Sequence, residues 1–112
     1  MIAEKAEEAI EKAVAYELQN IVKKYGAVYA SNHEAYAVLK EECEEAAESL
    51  DCVLFYLNQI WNNIRKNLIE KKDINLCKEQ AKALAGEAVQ CAAVCERFVE
   101  TLEREEKHEK LA

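Results

Sequence analysis

The sequence HEAYAVLKEECEEAAESLD occupies residues 33–51 and decides the fold. Its apolar residues recur at steps of four and three, which is the spacing of one face of an α-helix; they are Leu39, Cys43, Ala46 and Leu50. Successive residues of a helix are about 100° apart, so Glu41, Glu44 and Glu48 lie on the opposite, solvent side. The stretch therefore predicts an amphipathic helix.

Two acidic residues of this helix do not fit its solvent face. Glu42 lies about 60° from the centre of the apolar stripe, and Glu45 lies one step further out. A carboxylate at the edge of a buried face needs a base, a hydrogen-bond donor or a metal ion as a partner. Near the other end of the chain, Glu87 and Gln90 have the same two offsets from Leu84. Two helices are thus predicted to present matched polar pairs at the edge of the core.

The composition favours helix throughout the chain. The 112 residues are 51% hydrophobic, include no proline and only two glycines, and are rich in Ala, Glu, Lys and Leu. This mixture gives good helix formers everywhere and offers a sheet few turn residues. We predict an all-α fold in a single domain, residues 1–112, with enough apolar residues for one core.

Helix-capping and turn residues divide the chain into three predicted helices. The first covers residues 1–25 and ends at Gly26, a good C-cap. Ser31 and Glu34 form a capping box that starts the second helix, and its apolar spacing continues to about residue 70. We favour one continuous helix over residues 31–70, although Ser49 and Asp51 are good N-cap types and a hinge there is the alternative.

A turn at Lys71–Asp73 leads to the last helix, with Asp73 as its N-cap. This helix is predicted over residues 73–105, and the charged tail 106–112 is expected to fray. The resulting architecture is an N-terminal helix packed on a long antiparallel helical hairpin. Because a helix of nearly forty residues without internal caps is typical of coiled-coil-like packing, we expect a homo-oligomer.

The charge distribution excludes some partners. The net charge is −7, which argues against binding to a DNA or RNA duplex. Acids dominate residues 41–51, whereas bases dominate residues 65–82. The uncharged run over residues 53–64 is too short to span a bilayer, so no membrane association is expected.

The five cysteines indicate a reducing compartment. Their number is odd and they have no tight paired spacing. Together with the lack of a signal-peptide pattern, this predicts a cytoplasmic protein, with the thiols buried as small apolar residues.

The segment Glu41-Glu42-Cys43-Glu44-Glu45 resembles the EExxE motif of MazG-type all-α nucleoside triphosphate pyrophosphohydrolases. In that family, EExxE on one helix and ExxD on a later helix hold Mg²⁺ ions that bridge the triphosphate and activate a water molecule. Glutamates three residues apart share a helix face, and their hard oxygen ligands suit Mg²⁺.

A narrower resemblance is to small, uncharacterised, MazG-like proteins of phages and prophages. Residues 24–26, 31–45 and 87–98 carry it. The resemblance implies a phage context and, as metal ligands, Glu42, Glu45 and Glu87, with Gln90 at the position of the family aspartate. Basic residues toward the hairpin turn are candidates for phosphate binding; they are Arg65, Lys66, Lys72, Lys78 and Lys82.

Two departures from the MazG pattern bear on activity. Gln90 is a neutral and poorer Mg²⁺ ligand than aspartate, which argues for reduced or lost hydrolysis. In addition, a continuous second helix that turns at Lys72 places Glu87 level with Leu57, about 20 Å along the axis from Glu42. On this geometry one subunit assembles the site only with a hinge at Ser49–Asp51, or else a second subunit supplies the missing acids.

Two functions follow as hypotheses. The first is a MazG-like accessory protein that binds a nucleotide with Mg²⁺ and either hydrolyses or sequesters it, for example a nucleotide signal of host defence. The alternative is a non-enzymatic acidic interaction protein, an inhibitor or adaptor of a host protein. Its interface would use an aromatic group, Phe55, Tyr56 and Trp61, although a core role is the commoner one for such residues.

Overall fold

Three α-helices form the fold of the computed structural model, which describes residues 1–111. They are α1 (Glu4–Tyr25), α2 (Asn32–Arg65) and α3 (Lys71–Leu111). α2 and α3 pack as a hairpin with α1 on it, and no strand occurs within residues 1–111, so the predicted all-α fold is confirmed. Over the same residues, no helix combines the length and the low charge that a bilayer-spanning segment requires.

The predicted signals end α1 and start α2. Gly26 has a φ of 96°, a conformation that favours glycine, and its N–H donates to the Val22 carbonyl at 2.8 Å. Ser31 Oγ accepts a hydrogen bond from the Glu34 backbone N–H at 3.1 Å. Both positions are therefore fixed by local chemistry that the sequence makes visible.

α2 runs without a break through residues 49–51, so the hinge does not occur. It ends at Arg65, five residues before the predicted end, because the next residues form a Schellman motif. Asn67 adopts a left-handed φ of 56°, its N–H donates to the Ile64 carbonyl at 3.0 Å, and the Leu68 N–H donates to the Asn63 carbonyl at 2.8 Å. Asparagine tolerates this conformation better than most residues.

The prediction of a turn at Lys71–Asp73 was wrong. α3 already begins at Lys71, and Asp73 lies in its first turn rather than at its N-cap. The Asp73 carboxylate instead accepts a hydrogen bond from Asn63 Nδ2 at 2.8 Å, which ties the two helices together. At its other end α3 continues to Leu111, past the predicted end at residue 105.

The chain forms two compact units, residues 1–42 with 89–112 and residues 43–88. The first unit holds the core, in which Tyr29, Ala35 and Val94 are buried and half-buried apolar residues of all three helices pack around them; these are Ile21, Val38, Leu39 and Phe98. This unit is a small three-helix core.

Arg97 is also buried in the first unit, with 4% of its surface exposed. Its guanidinium donates hydrogen bonds to the carbonyls of Gly26, Tyr25 and Val28 at 3.2, 3.3 and 3.0 Å. Its Cζ lies 3.9 Å from the centre of the Tyr29 ring. Arg97 therefore satisfies carbonyls at and after the C-terminal end of α1, which a helix leaves without intrahelical donors.

Thr101 holds the same loop from the next turn of α3. Its hydroxyl donates to the Arg97 carbonyl at 2.8 Å and accepts from the Tyr29 N–H at 3.1 Å. The α1–α2 connection is thus fixed by two buried polar side chains of α3.

Replacing Tyr29 with phenylalanine is expected to leave stability unchanged or to raise it by up to about 1 kcal/mol. Within the described residues the buried Tyr29 hydroxyl has no hydrogen-bond partner, whereas the ring stacks with Arg97 and lies edge-on to Phe98. Urea unfolding of Tyr29→Phe and Tyr29→Leu measures the difference. Only the leucine variant loses the ring, and an equal loss of stability in both variants would show that the hydroxyl matters.

The second unit is a two-helix hairpin whose residues are all described, and none of them is buried. Three of the seven residues of the predicted apolar stripe of α2 in this unit are half-buried, namely Ala46, Val53 and Ile60. The other four are exposed: Cys43, Leu50, Leu57 and Ile64. The prediction of a single buried stripe was wrong in this unit because the apolar face of α2 is wider than α3 alone can cover.

The cysteines are also more accessible than predicted. Cys43, Cys52 and Cys95 are exposed, and Cys77 and Cys91 are half-buried. Small thiol side chains on two long helices of a thin bundle remain near the surface, so the predicted burial of the thiols was wrong.

Candidate metal site

Three carboxylates of α2 and α3 converge. One oxygen from each of Glu42, Glu45 and Glu87 lies within 4.8 Å of the others. Glu45 is exposed, while Glu42 and Glu87 are half-buried. Glu42 and Glu45 are one turn apart on α2, so the helix itself aligns them on one face.

The pairing of the helices in the second unit explains why Glu87 meets this face. The Cys77 thiol lies 3.8 Å from the Val53 carbonyl, which marks these residues as level. Ten residues further along α3 is Glu87, and ten residues back along α2 is Cys43. Glu87 is therefore level with the helical turn of α2 that carries Glu42 and Glu45.

The predicted separation of about 20 Å between the acids was wrong, and its source is the position of the turn. Moving the centre of a helical hairpin by one residue changes the pairing of its arms by two residues, or about 3 Å. The turn lies between Arg65 and Lys71, and the level pair Cys77 and Val53 centres the pairing of the arms near residue 65. That is about seven residues before the predicted Lys72, and the difference accounts for about 21 Å. A continuous α2 thus brings the acids together without a hinge or a second subunit.

The oxygen spacing fits a hard divalent cation. Ligands on opposite sides of Mg²⁺ are about 4.2 Å apart, and those on opposite sides of Ca²⁺ about 5 Å apart. The three oxygens lie within 4.8 Å of one another, which is the range of opposite ligands, so the side chains must close further to bring adjacent ligands around either ion. Three monodentate carboxylates leave about three positions of an octahedral ion for water or phosphate oxygens.

Gln90 makes a different contact. Its Nε2 donates a hydrogen bond to the Glu17 carboxylate of α1 at 2.7 Å. In the sequence, Glu17 lies on the apolar stripe of the first helix. The Gln90 amide is the hydrogen-bond donor that its carboxylate finds there. Pairing with a carboxylate gives Gln90 a structural role that an aspartate at the same position would not perform, since two carboxylates would repel each other.

The five candidate phosphate-binding bases are exposed, and none lies beside Glu87. Lys82 and Lys78 lie five and nine residues before Glu87 on α3, which places them about 140° and 180° around the helix from it. Lys82 pairs with Glu79 at 3.5 Å. Arg65, Lys66 and Lys72 lie at the hairpin turn, about 20 Å or more along the axis. These bases do not line the acidic cluster.

No family model matches the chain. The searches of curated proteins and of solved structures return no match either. Only the geometry of the side chains therefore bears on function.

Outside this cluster, the role of Arg97 was not predicted from the sequence. Arg97 lies in a run of small and apolar residues, and its place between Val94 and Thr101 at helical spacing is the signal that it shares the buried face. Phe55 and Trp61, for which a core role was expected, are 55% and 53% exposed. Phe55 and the half-buried Tyr56 are in edge-on contact, with ring centres 5.2 Å apart.

Proposed function

We propose that the protein binds a divalent cation, Mg²⁺ in the first instance, through Glu42, Glu45 and Glu87. The cation in turn holds the phosphates of a nucleotide, which the protein sequesters or hydrolyses as a MazG-like accessory protein of phage or prophage type. The observation that supports this proposal is the convergence of the three carboxylates from two helices.

The number of acids favours binding over turnover. A single cation with three protein carboxylates and open positions is suited to capturing phosphate oxygens. Hydrolysis additionally needs an activated water molecule. Because Gln90 has a neutral amide in place of the family aspartate, it supplies no carboxylate to bind a second cation or to transfer a proton. We therefore assign no catalytic residue, and sequestration of the intact nucleotide is the favoured outcome.

Calorimetric titration tests the proposal directly. The wild-type chain is titrated with nucleoside triphosphates and cyclic dinucleotides, with Mg²⁺ and with excess chelator, and the products are analysed for pyrophosphate. We expect binding that requires Mg²⁺ and is lost in Glu42→Gln and Glu87→Gln. Glu41→Gln, the exposed neighbour of Glu42, is the matched control and retains binding.

Each outcome of the titration has a defined meaning. Pyrophosphate release establishes hydrolysis, and recovery of intact nucleotide establishes sequestration. Nucleotide binding that persists in excess chelator contradicts the proposed metal site. Binding that persists in both Glu42→Gln and Glu87→Gln contradicts the assignment of these carboxylates as metal ligands.

The second candidate function is recognition of a host protein without chemistry. Phe55 is 55% exposed, and the exposed acids Glu48 and Asp51 lie two turns and one turn earlier on nearly the same face of α2. An aromatic anchor beside negative charge is suited to a basic partner surface. Silence across the nucleotide panel, with and without Mg²⁺, would favour this function.

A further inference from the structure

α2 carries a second apolar face that stays exposed among the described residues 1–111. Its residues are spaced alternately by four and three and are all exposed: Cys43, Ala47, Leu50, Leu54, Leu57, Trp61 and Ile64. The five large side chains among them are 45–56% exposed. We call this face the α2 seam. It repeats over three heptads, about 32 Å of helix, and such a repeat is typical of a coiled-coil interface.

The seam belongs to the unit that most needs another layer. The hairpin of residues 43–88 buries none of its residues, and two helices alone rarely bury enough apolar surface to be stable. Six of the eight half-buried residues of α2 in this unit precede a seam residue by one position; examples are Ser49, Val53 and Tyr56. The seam therefore lies about 100° around α2 from the face that meets α3.

α3 extends the apolar surface on the same side of the hairpin. Its half-buried residues Asp73, Gln80, Leu84 and Glu87 are each followed by an exposed apolar residue, namely Ile74, Ala81, Ala85 and Ala88. Because α2 and α3 are antiparallel, a step of one residue rotates in opposite senses on the two helices when both are viewed from one end. The two exposed sets thus lie on the same side of the hairpin and form an apolar face that only Lys78, between Ile74 and Ala81, interrupts on α3.

We propose that this face is an interface with a second copy of the chain, in which the two α2 helices pack antiparallel through the α2 seam. Two hairpins joined face to face make a four-helix bundle, the arrangement that buries one apolar face of each hairpin. This proposal goes beyond the metal site and does not depend on it.

The charges beside the seam favour the antiparallel orientation. The flank away from α3 carries, in order, Glu44, Asp51, Asn58 and Arg65, all exposed. Centring the pair between Leu54 and Leu57 sets Glu44 beside Arg65 of the partner subunit, and Asp51 beside Asn58 of the partner subunit. Parallel pairing about a two-fold axis sets this flank against the α3 side of the partner's α2, so the acids and Arg65 on it do not meet each other. The flank is thus self-complementary only when antiparallel.

The first experiment measures the mass of the full chain by analytical ultracentrifugation over about a hundredfold range of concentration, with thiols kept reduced. We expect a dimer whose dissociation is accompanied by a red shift in the fluorescence of Trp61, the one tryptophan of the sequence. Leu57→Glu is expected to weaken dimerisation by about 100-fold or more, because it places charges near the two-fold axis.

Phe55→Glu is the matched control. Phe55 is on the same helix and equally exposed, 55% against 56% for Leu57, but lies outside the seam, so its variant is expected to remain a dimer. Helix content by circular dichroism checks that both variants fold. A wild-type chain that is monomeric throughout the range overturns the proposal and leaves the face to a different protein. A dimer unaffected by Leu57→Glu also overturns it.

A charge exchange tests the orientation. Glu44→Arg and Arg65→Glu, each alone, place like charges together at both ends of the antiparallel pair and are expected to weaken dimerisation about two- to fivefold. The double variant restores the opposite charges and is expected to restore the wild-type dissociation constant. Additive loss in the double variant overturns the antiparallel arrangement.

Discussion

Replacing Arg97 with alanine is expected to lower the free energy of unfolding by about 3–5 kcal/mol. Three backbone carbonyls lose their donor, and each buried acceptor left unpaired costs about 1–3 kcal/mol before relaxation. The Tyr29 ring loses its cationic partner in the same substitution. For a small helical domain this is a large part of the total stability.

Lysine at the same position separates charge from geometry. It keeps the positive charge but replaces the planar fork of arginine with a single ammonium, which is less able to reach all three carbonyls. We expect Arg97→Lys to cost about 1–3 kcal/mol, between wild type and alanine. Urea unfolding followed by far-ultraviolet circular dichroism measures both variants.

The matched control for Arg97 is Arg104→Ala, an exposed arginine on the same helix, which is expected to change stability by less than about 0.5 kcal/mol. Amide hydrogen exchange adds a regional test, because loss of the carbonyl contacts should release protection first around residues 25–29. If Arg97→Ala is no more destabilising than Arg104→Ala, the carbonyl contacts are not a stabilising clamp.

The number and order of the helices could be predicted because each depends on local signals. Apolar periodicity identifies α2, the hydroxyl of Ser31 starts it, and the positive φ of Gly26 ends α1. Signals of this kind act over a few residues and are visible in the sequence itself.

The pairing of α2 with α3 could not be predicted reliably because it depends on one weaker signal. Asn67 adopts a left-handed conformation that asparagine tolerates but does not require. A pairing centre misplaced by about seven residues displaced opposing residues by about fourteen, so that Glu42 and Glu87 were predicted to be far apart. The identities of the candidate ligands came from helix faces and a family motif, whereas their convergence depended on this turn.

The buried face of α2 was misassigned for a different physical reason. The sequence carries apolar residues on two adjoining faces, and periodicity alone does not say which face meets α3. The polar contacts do: Asn63 bonds Asp73 across the hairpin, which orients α2 and leaves Leu57 and Trp61 exposed. Apolar periodicity alone does not reveal this hydrogen bond between Asn63 and Asp73.

Replacing Glu87 with glutamine is expected to have opposite effects on the metal-free and metal-bound protein. Carboxylates within 4.8 Å of one another repel by about 1–3 kcal/mol per pair at partial exposure. Removing one charge should therefore stabilise the metal-free protein, by about 1 kcal/mol at neutral pH and low salt. The same change removes a ligand and should weaken Mg²⁺ or Ca²⁺ affinity by about 100-fold or more, since even outer-shell partners contribute 10–100-fold.

Thermal unfolding with and without the cation measures both effects in one experiment. A cation that binds only the folded wild-type protein raises its stability in proportion to the logarithm of the cation concentration over the dissociation constant. The Glu87→Gln variant is expected to be more stable than wild type without the cation and to be stabilised little by adding it. Glu41→Gln, which removes an equal charge from the exposed face, should gain as much as wild type. A purely structural role for Glu87, as partner of a base across the helices, requires the reverse sign. In that case Glu87→Gln would destabilise the metal-free protein, and neither protein would respond to the cation.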